Sequence, residues 1–308
     1  MKWLNRLALR AAGTAVTLLI LVVVCLMLLR AVPGGPLDTE RDMPTAVRAA
    51  IEAQYGLNLP FTEQFTRYLR NALDGRLGPS MQYPDFDVEE LIAISAPITI
   101  TLGLLATLLA LGTAIPIAAA IAAEPLALQA ARTGTLIMLA VPKFVLAPVL
   151  VLIFSLSLNW LPAGGFAWNQ PLTWVLPVAC LALPQFFVLL RVLIENMRAA
   201  MEKSPVIAAR ARGYSPMRVV TRHALPLALA QTFGFFGPIL VALLTGSAVI
   251  EQVFNIPGLG RYLVQAALNR DFTLLIGCVV TVATITIIAH FLVETLQELF
   301  DPRMRARG

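Results

Sequence analysis

The chain has 308 residues, of which 58% are hydrophobic and 13% charged, and its formal net charge is +5. A water-soluble globular domain of this length would need far more polar surface, so the composition excludes that class and indicates an integral membrane protein. The excess of positive charge is interpreted as a signal of membrane orientation, because no groove motif of basic and aromatic residues supports nucleic-acid binding.

Six apolar stretches are predicted to cross the membrane as helices. Each is close to or above the roughly 20 residues that a helix needs to cross a hydrocarbon core about 30 Å thick. The first stretch is too long for a secretory signal peptide and lacks a small-residue cleavage signal, so we expect it to be retained. In chain order the stretches cover residues 9–30, 97–123, 133–158, 172–194, 226–250 and 272–297.

The charges between these stretches predict the orientation of the chain. Residues 1–10 carry three basic residues and no acid, and the tail carries three arginines, so both termini are expected in the cytoplasm. Residues 31–95 carry ten acids and five arginines and are predicted to form an extracytoplasmic insertion of about 65 residues. The sequence therefore predicts a single all-α membrane domain over 1–308, with a basic cytoplasmic loop at 195–225.

One short segment of this cytoplasmic loop, Lys203–Pro226, has more structure than orientation alone requires. It reads KSPVIAARARGYSPMRVVTRHALP and carries five basic residues and no acid. Ser204-Pro205 predicts a helix start, Gly213 a helix stop, and Ser215-Pro216 a second start. An ordinary solvated loop is the alternative, but two starts and a stop favour a stiff element that can transmit motion from a soluble partner. The two predicted helices cover 205–212 and 216–225.

The same segment resembles the EAA loop of ABC-importer permeases. That pattern is Glu-Ala-Ala, three residues, Gly, nine residues, an apolar residue, one residue, and Leu-Pro. The spacing from Gly213 to Leu225-Pro226 matches it, while Ile207 replaces the Glu and His223 replaces the apolar residue. The run ARARGYSPMRVVTRHAL is close to the version found in peptide importers, in which Ala-Arg-Ala-Lys-Gly and Arg-His-Ala-Leu are usual.

Further stretches extend the resemblance over essentially the whole chain. The chain is similar to the dipeptide/oligopeptide/nickel permeases of bacterial ABC importers, and among them to the B-type oligopeptide permeases. The stretches that carry this likeness are 29–36, 55–60, 74–80, 246–261, 267–271 and the tail from Asp301.

The resemblance implies a type I ABC-importer permease fold and a place in a larger machine. The chain would form half of a pore with a homologous second permease, in a bacterial inner membrane. Two cytoplasmic ATPases would hold the ATP and Mg²⁺, and an extracytoplasmic binding protein would deliver the peptide. The loop would couple to the ATPases through Ala208, Ala209, Arg210, Ala211, Arg212, Gly213, Tyr214, Ser215, Arg218 and Arg222.

No motif in the chain predicts catalysis or a cofactor. The sequence contains no GxxxxGK[ST] phosphate loop, no HExxH and no Cys/His spacing typical of a metal site. Polar residues inside the predicted spans are candidates for the translocation path, although hydrogen bonding between helices explains each of them at least as well. These path candidates are Gln185, Gln231, Thr245, Ser247 and Glu251.

Three alternative functions stay open at this point. The same machinery could import another small solute, such as nickel or glutathione. A membrane-embedded enzyme would need a polar catalytic constellation inside the spans, and none is found in the sequence. A structural or assembly protein would not need a doubly capped basic loop, so changes near Arg212 that abolish uptake would argue against it.

Overall fold

The computed structural model describes residues 2–31, 56, 58–122, 131, 133–136, 142–235, 239 and 247–300. Across these residues the regular secondary structure is helical, with one isolated antiparallel bridge between Pro79 and Asp87. The path candidate Thr245 and the arginine-containing tail lie outside the described residues.

Four helices in the described part of the chain are long and apolar enough to cross a membrane. They overlap the predicted first, second, fourth and sixth spans, whereas the total of six spans stays a prediction. A shorter apolar helix, Val145–Ser157, lies within the predicted third span. The four long helices are Lys2–Ala31, Val88–Ala122, Leu172–Met201 and Phe272–Phe300.

The remaining helices are short, and two of them contain wide π-helical turns. Pro226 explains the π segment Val220–Ala224, because its ring lacks an N–H and would clash with the carbonyl oxygen four residues earlier in a regular α-helix. The short α-helices are Phe61–Leu73, Lys143–Leu150, Ser204–Ala211, Pro216–Val219, Leu225–Thr232 and Leu259–Leu268. The π segments are Val151–Ser157 and Val220–Ala224, and Phe233–Phe235 forms a 3₁₀ turn.

The chain divides into two compact units. The first unit comprises Met1–Pro97 and Gly258–Ile287, and the second comprises Ile98–Pro257 and Ile288–Gly308. In the first unit a glycine allows two helices to approach closely, since a Cβ on Gly277 would lie 2.5 Å from Cγ1 of Val88. The apolar core around this contact contains Val88, Leu91, Leu259, Ala266, Leu274 and Cys278.

A buried carboxylate, Asp271, forms the centre of a hydrogen-bond network in the first unit. One of its oxygens accepts hydrogen bonds from the Ser80 hydroxyl and from the Gln82 amide, the latter at 3.0 Å. The other accepts the Leu274 amide at 3.0 Å, which caps the start of the helix Phe272–Phe300, and the Thr273 hydroxyl at 3.0 Å. We call these five residues the Asp271 cluster.

A tyrosine next to the Asp271 cluster adds a further bond between the same two segments. The Tyr83 hydroxyl donates to Gln265 Oε1 at 2.9 Å. Burial raises the pKa of Tyr83 above an ordinary value that already leaves the hydroxyl protonated, and able to donate, at neutral pH. The loop at 74–87 is thereby tied to the segment 258–275 by directed hydrogen bonds.

In the second unit, a row of small residues lets the long helices pack closely. Four alanines one helical turn apart lie fully buried along the helix Val88–Ala122. Small side chains at this spacing allow neighbouring helix backbones to come near each other, which is how helices associate when lipid surrounds them. The row consists of Ala106, Ala110, Ala114 and Ala118, and it belongs to a core with Leu181, Leu189 and Leu193.

Candidate coupling site

The first helix of the basic loop, which is defined here as Ser204–Pro226, begins one residue earlier than the sequence predicts. The predicted N-cap was Ser204, but Lys203 occupies that position, with φ −80° and ψ 143°. The reason is visible in the backbone, because the Lys203 carbonyl already accepts the Ile207 amide at 3.1 Å. This hydrogen bond makes Ser204 the first helical residue, and the side chain of the N-cap residue Lys203 forms no capping bond.

The turn at Gly213 confirms the predicted helix stop. Gly213 has φ +76°, a conformation that residues with a Cβ rarely adopt. Its amide donates to the Arg210 carbonyl at 2.9 Å, and the Tyr214 amide donates to the Ala209 carbonyl at 3.4 Å. This pair of bonds is the Schellman arrangement, which satisfies the last carbonyls of a helix and fixes the direction of the following chain.

The second predicted start is confirmed at Ser215, which is the N-cap residue of the helix Pro216–Val219. The Val219 amide donates to the Ser215 carbonyl at 3.0 Å. Helical structure then continues through the π turn into Leu225–Thr232. The loop is therefore connected to the predicted fifth span without a flexible joint.

The inner face of the basic loop is apolar and packs on the ends of long helices. Its buried side chains form one core with residues of the helices Val88–Ala122 and Leu172–Met201. Because protein interiors are close-packed, a displacement of the loop must also move the helix ends that it contacts. The loop contributes Val206, Ala209, Val219, Val220 and Ala224, and the helix ends contribute Ala119, Met197 and Ala200.

The outer face combines cations with exposed apolar side chains. The Arg218 guanidinium carbon lies 4.7 Å from the centre of the Tyr214 ring, an attractive cation–π geometry. The His223 ring stacks on Tyr214 with centroids 6.0 Å apart and planes 15° apart. Ile207 is 53% exposed and Met217 is 48% exposed. Such a surface fits a partner with an apolar groove and acidic neighbours.

The structure separates the predicted coupling residues into two groups. Ala209 is buried and faces the helix ends, so its side chain anchors the loop and is not available to a partner. Sequence reasoning did not assign Ile207 or Met217 to the site. The sequence pattern that could have identified them is an apolar residue that does not lie on the buried face of a short helix in a charged segment. The exposed members are Ala208, Arg210, Ala211, Arg212, Gly213, Tyr214, Ser215, Arg218 and Arg222.

The path candidates do not converge on one open surface within the described residues. Gln185, Ser247 and Glu251 are buried, whereas Gln231 is exposed. Glu251 accepts a hydrogen bond from the Thr99 hydroxyl at 2.8 Å, which links the helical residues 247–253 to the helix Val88–Ala122. This contact is the helix–helix hydrogen bonding that the sequence left open as the alternative, and the path role stays a prediction.

These features together define a helical membrane protein with a stiff basic loop. Residues 112–306 match the family described as "Binding-protein-dependent transport system inner membrane component". The chain belongs to this family.

Curated relatives extend the likeness to almost the whole chain. The "Oligopeptide transport system permease protein OppB" of Haemophilus influenzae is 38% identical over 291 residues, covering 94% of this chain and 95% of the relative. The protein of the same name from Escherichia coli K12 is 35% identical over 295 residues, with the same coverage. The "Dipeptide transport system permease protein DppB" of Bacillus subtilis is 31% identical over 293 residues, covering 94% of each chain.

Proposed function

We propose that this chain forms one half of the transmembrane pore of an ATP-driven importer of oligopeptides or dipeptides. A homologous second permease supplies the other half, and an extracytoplasmic binding protein delivers the peptide. Two cytoplasmic ATPases bind ATP and Mg²⁺ and carry out hydrolysis, so this chain itself is a non-catalytic permease. The names of relatives that match 94% of the chain support this assignment of the substrate class.

The proposed topology places six spans in the inner membrane of a bacterium, with both termini in the cytoplasm. The basic residues of 1–10 and of the basic loop then lie on the cytoplasmic side. The acidic insertion at 31–95 lies on the other side. Four helices of sufficient length and apolarity in the described part of the chain support this arrangement.

The observation that carries the proposal is the double-sided construction of the basic loop. Its inner face is buried against two long helices, and its outer face presents arginines and apolar side chains. ATP binding can switch the pore only if it biases two states of the ATPases that hold the loop in different positions. A loop packed tightly on helix ends is suited to transmit that bias into the membrane.

The candidates for the translocation path differ in how accessible they are to a substrate. Gln231 is exposed in the isolated chain, so it is available to substrate or to the second permease. Glu251 and Ser247 are fully buried and would face the pathway only in another conformational state. We therefore expect substitution of Gln231 to affect the handling of peptides, and substitution of Glu251 to affect packing.

A second solute class, such as nickel or glutathione, would use the same machinery. The relatives described above are named for oligopeptide and dipeptide transport, which favours peptides. The predicted spans also contain few His, Cys or carboxylate side chains of the kind that bind a metal ion.

Co-purification in mild detergent tests the proposed assembly. We expect the tagged chain, extracted from its native membrane, to bring down a homologous permease and one or two ATPases. Peptides released from a co-purifying binding protein would then identify the substrate. As a matched pair, Arg212→Glu should weaken recovery of the ATPase, whereas Arg70→Glu, at an exposed site in the predicted extracytoplasmic insertion, should not.

Two results would contradict the proposal. Recovery of the folded, abundant chain alone would show that it is not a subunit of an importer. Recovery of the full assembly with a binding protein that carries a metal or another small solute would support the importer but contradict peptides as its substrate.

A further inference from the structure

The described residues contain a second exposed surface that the coupling mechanism does not use. It is the segment Leu158–Leu172, which follows the π segment Val151–Ser157 and ends at the first residue of the helix Leu172–Met201. We call it the aromatic loop. Within it Trp160 is 66% exposed, Trp168 is 57% exposed and Leu172 is 58% exposed.

We propose that the aromatic loop is a lipid-binding surface, whose exposed tryptophans lie among the lipid headgroups at the membrane boundary. Tryptophan suits this zone because its ring is apolar and its N–H can donate to headgroups or water. The loop lies between two predicted spans, where the chain must leave the hydrocarbon core and re-enter it.

The charge pattern supports lipid as the partner. Residues 144–190 contain no charged side chain, so the aromatic loop, the π segment Val151–Ser157 before it and the following helix as far as residue 190 are neutral. A surface that is steered to a soluble protein by complementary charge carries charged side chains around its apolar centre. The polar groups of the aromatic loop are instead neutral amides, at Asn159, Asn169 and Gln170.

The exposed apolar surface of the flanking helices supports the same conclusion. Leu152 and Leu156 are exposed before the loop, and Val175 is exposed after it. These side chains belong to predicted spans and are expected to meet acyl chains. Exposed apolar residues thus continue along the chain from one predicted span, through the loop, and into the next.

The aromatic loop is held in a fixed shape. Phe166 and Trp174 stack with centroids 5.1 Å apart, and Trp168 meets the Trp174 ring edge-on at 5.4 Å. The Trp174 indole N–H donates to the Ala167 carbonyl at 2.8 Å, so Trp174 helps to hold the aromatic loop in place. Trp168 is consequently oriented before it meets lipid, which lowers the entropy cost of binding.

A backbone hydrogen bond ties the aromatic loop to a second segment. The Gly165 amide donates to the Phe254 carbonyl at 2.7 Å, and the Phe254 side chain is fully buried. If the aromatic loop is anchored at the membrane boundary, this bond would also fix the depth of residues 247–257 in the bilayer. This consequence concerns placement in the bilayer and is independent of the coupling loop and of the substrate.

Quenching by brominated lipids tests the proposal on the assembled transporter in nanodiscs. The probe is the fluorescence difference between the native protein and a Trp160→Phe/Trp168→Phe variant, measured in phosphatidylcholine brominated near the headgroup end, near the methyl end, or not at all. We expect about a twofold loss of the difference signal with bromine near the headgroup end, and a smaller loss with bromine near the methyl end.

Three results would overturn the proposal. Efficient quenching by aqueous iodide without quenching by bromine would place the tryptophans in water. Protection from both quenchers would mean that the second permease covers the loop. Protection that appears only when the peptide-binding protein is added would make the loop a docking site for that protein.

Discussion

The basic loop and the Asp271 cluster use polar groups in opposite ways. In the Asp271 cluster, a fully buried carboxylate accepts four hydrogen bonds from its own chain. In the basic loop, the helices Ser204–Ala211 and Pro216–Val219 have no side-chain cap, and the arginines point outward. Buried apolar side chains and a glycine turn hold the basic loop together.

The difference separates groups that hold the fold from groups that are available to a partner. A buried carboxylate with four donors cannot bind anything else without breaking those bonds. Exposed arginines on an apolar support can bind an acidic surface without any cost to the fold. Substitutions in the Asp271 cluster should therefore lower stability, whereas substitutions on the outer face of the basic loop should lower coupling in a stable protein.

Asp271→Ala is expected to have the largest effect. It removes a helix cap and leaves the buried Ser80 hydroxyl and the partly buried Gln82 amide without an acceptor, which should lower the free energy of unfolding by about 3 kcal/mol. Thermal unfolding of the purified protein in detergent measures this loss. Asp85→Ala, at an exposed position in the same loop, is the matched control and should be nearly neutral. Equal stability of the two variants would show that Asp271 does not stabilise the fold.

Arg212→Glu should reduce peptide uptake by about tenfold while the protein inserts and unfolds like the native chain, because it reverses a charge on the outer face that we propose docks the ATPase. Uptake of a labelled peptide by cells with matched membrane levels measures the effect. Arg70→Glu, which also reverses an exposed arginine, should retain uptake. A variant that loses uptake only in proportion to its membrane level would show that Arg212 supports folding and not coupling.

Gly213→Val should weaken coupling through backbone strain alone. No atom lies within 4 Å of a Cβ placed on Gly213, so the penalty comes from φ +76° and amounts to about 1–2 kcal/mol. Gly213→Asn is the control, because asparagine tolerates this conformation better than other residues with a Cβ. ATP hydrolysis stimulated by the loaded binding protein should fall for Val and persist for Asn. The turn would be irrelevant to coupling if both variants behaved like the native protein.

Tyr214→Ala is expected to have the smallest effect of the four. It removes the ring that contacts Arg218 and stacks on His223, and the contact with Arg218 is worth about 0.5–1 kcal/mol at an exposed site. We expect a few-fold lower apparent affinity for the ATPase in a binding titration. Tyr214→Phe keeps the stack and should stay near the native value. A matching loss in both variants would assign the effect to the hydroxyl group.

The sequence predicts the local parts of the basic loop well. Gly213 is predicted to stop a helix and Ser215 to start the next one, and both predictions are confirmed. These features depend on the conformational preferences of single residues and their neighbours. The cap at Lys203 was missed by one residue, because the Ser-Pro signal does not reveal which carbonyl accepts the first helical bond.

The parts that could not be predicted depend on distant residues. Ser80 and Asp271 are 191 positions apart, and no local pattern indicates that they meet. The same holds for Gly165 and Phe254, whose backbone bond joins the aromatic loop to another segment. The π turn before Leu225 was also missed, because Pro226 was interpreted as the start of a new span and not as a residue inside a continuing helix.

Site-specific photo-cross-linking tests the central claim most directly. A photoreactive benzoylphenylalanine at Met217, on the exposed outer face, should cross-link to an ATPase subunit in native membranes. The same residue at Leu104, which is exposed in the middle of the helix Val88–Ala122, should cross-link to lipid. ATPase adducts at Met217 alone would support the basic loop as the coupling element. Absence of an ATPase adduct at Met217, in a protein that transports peptide normally, would contradict it.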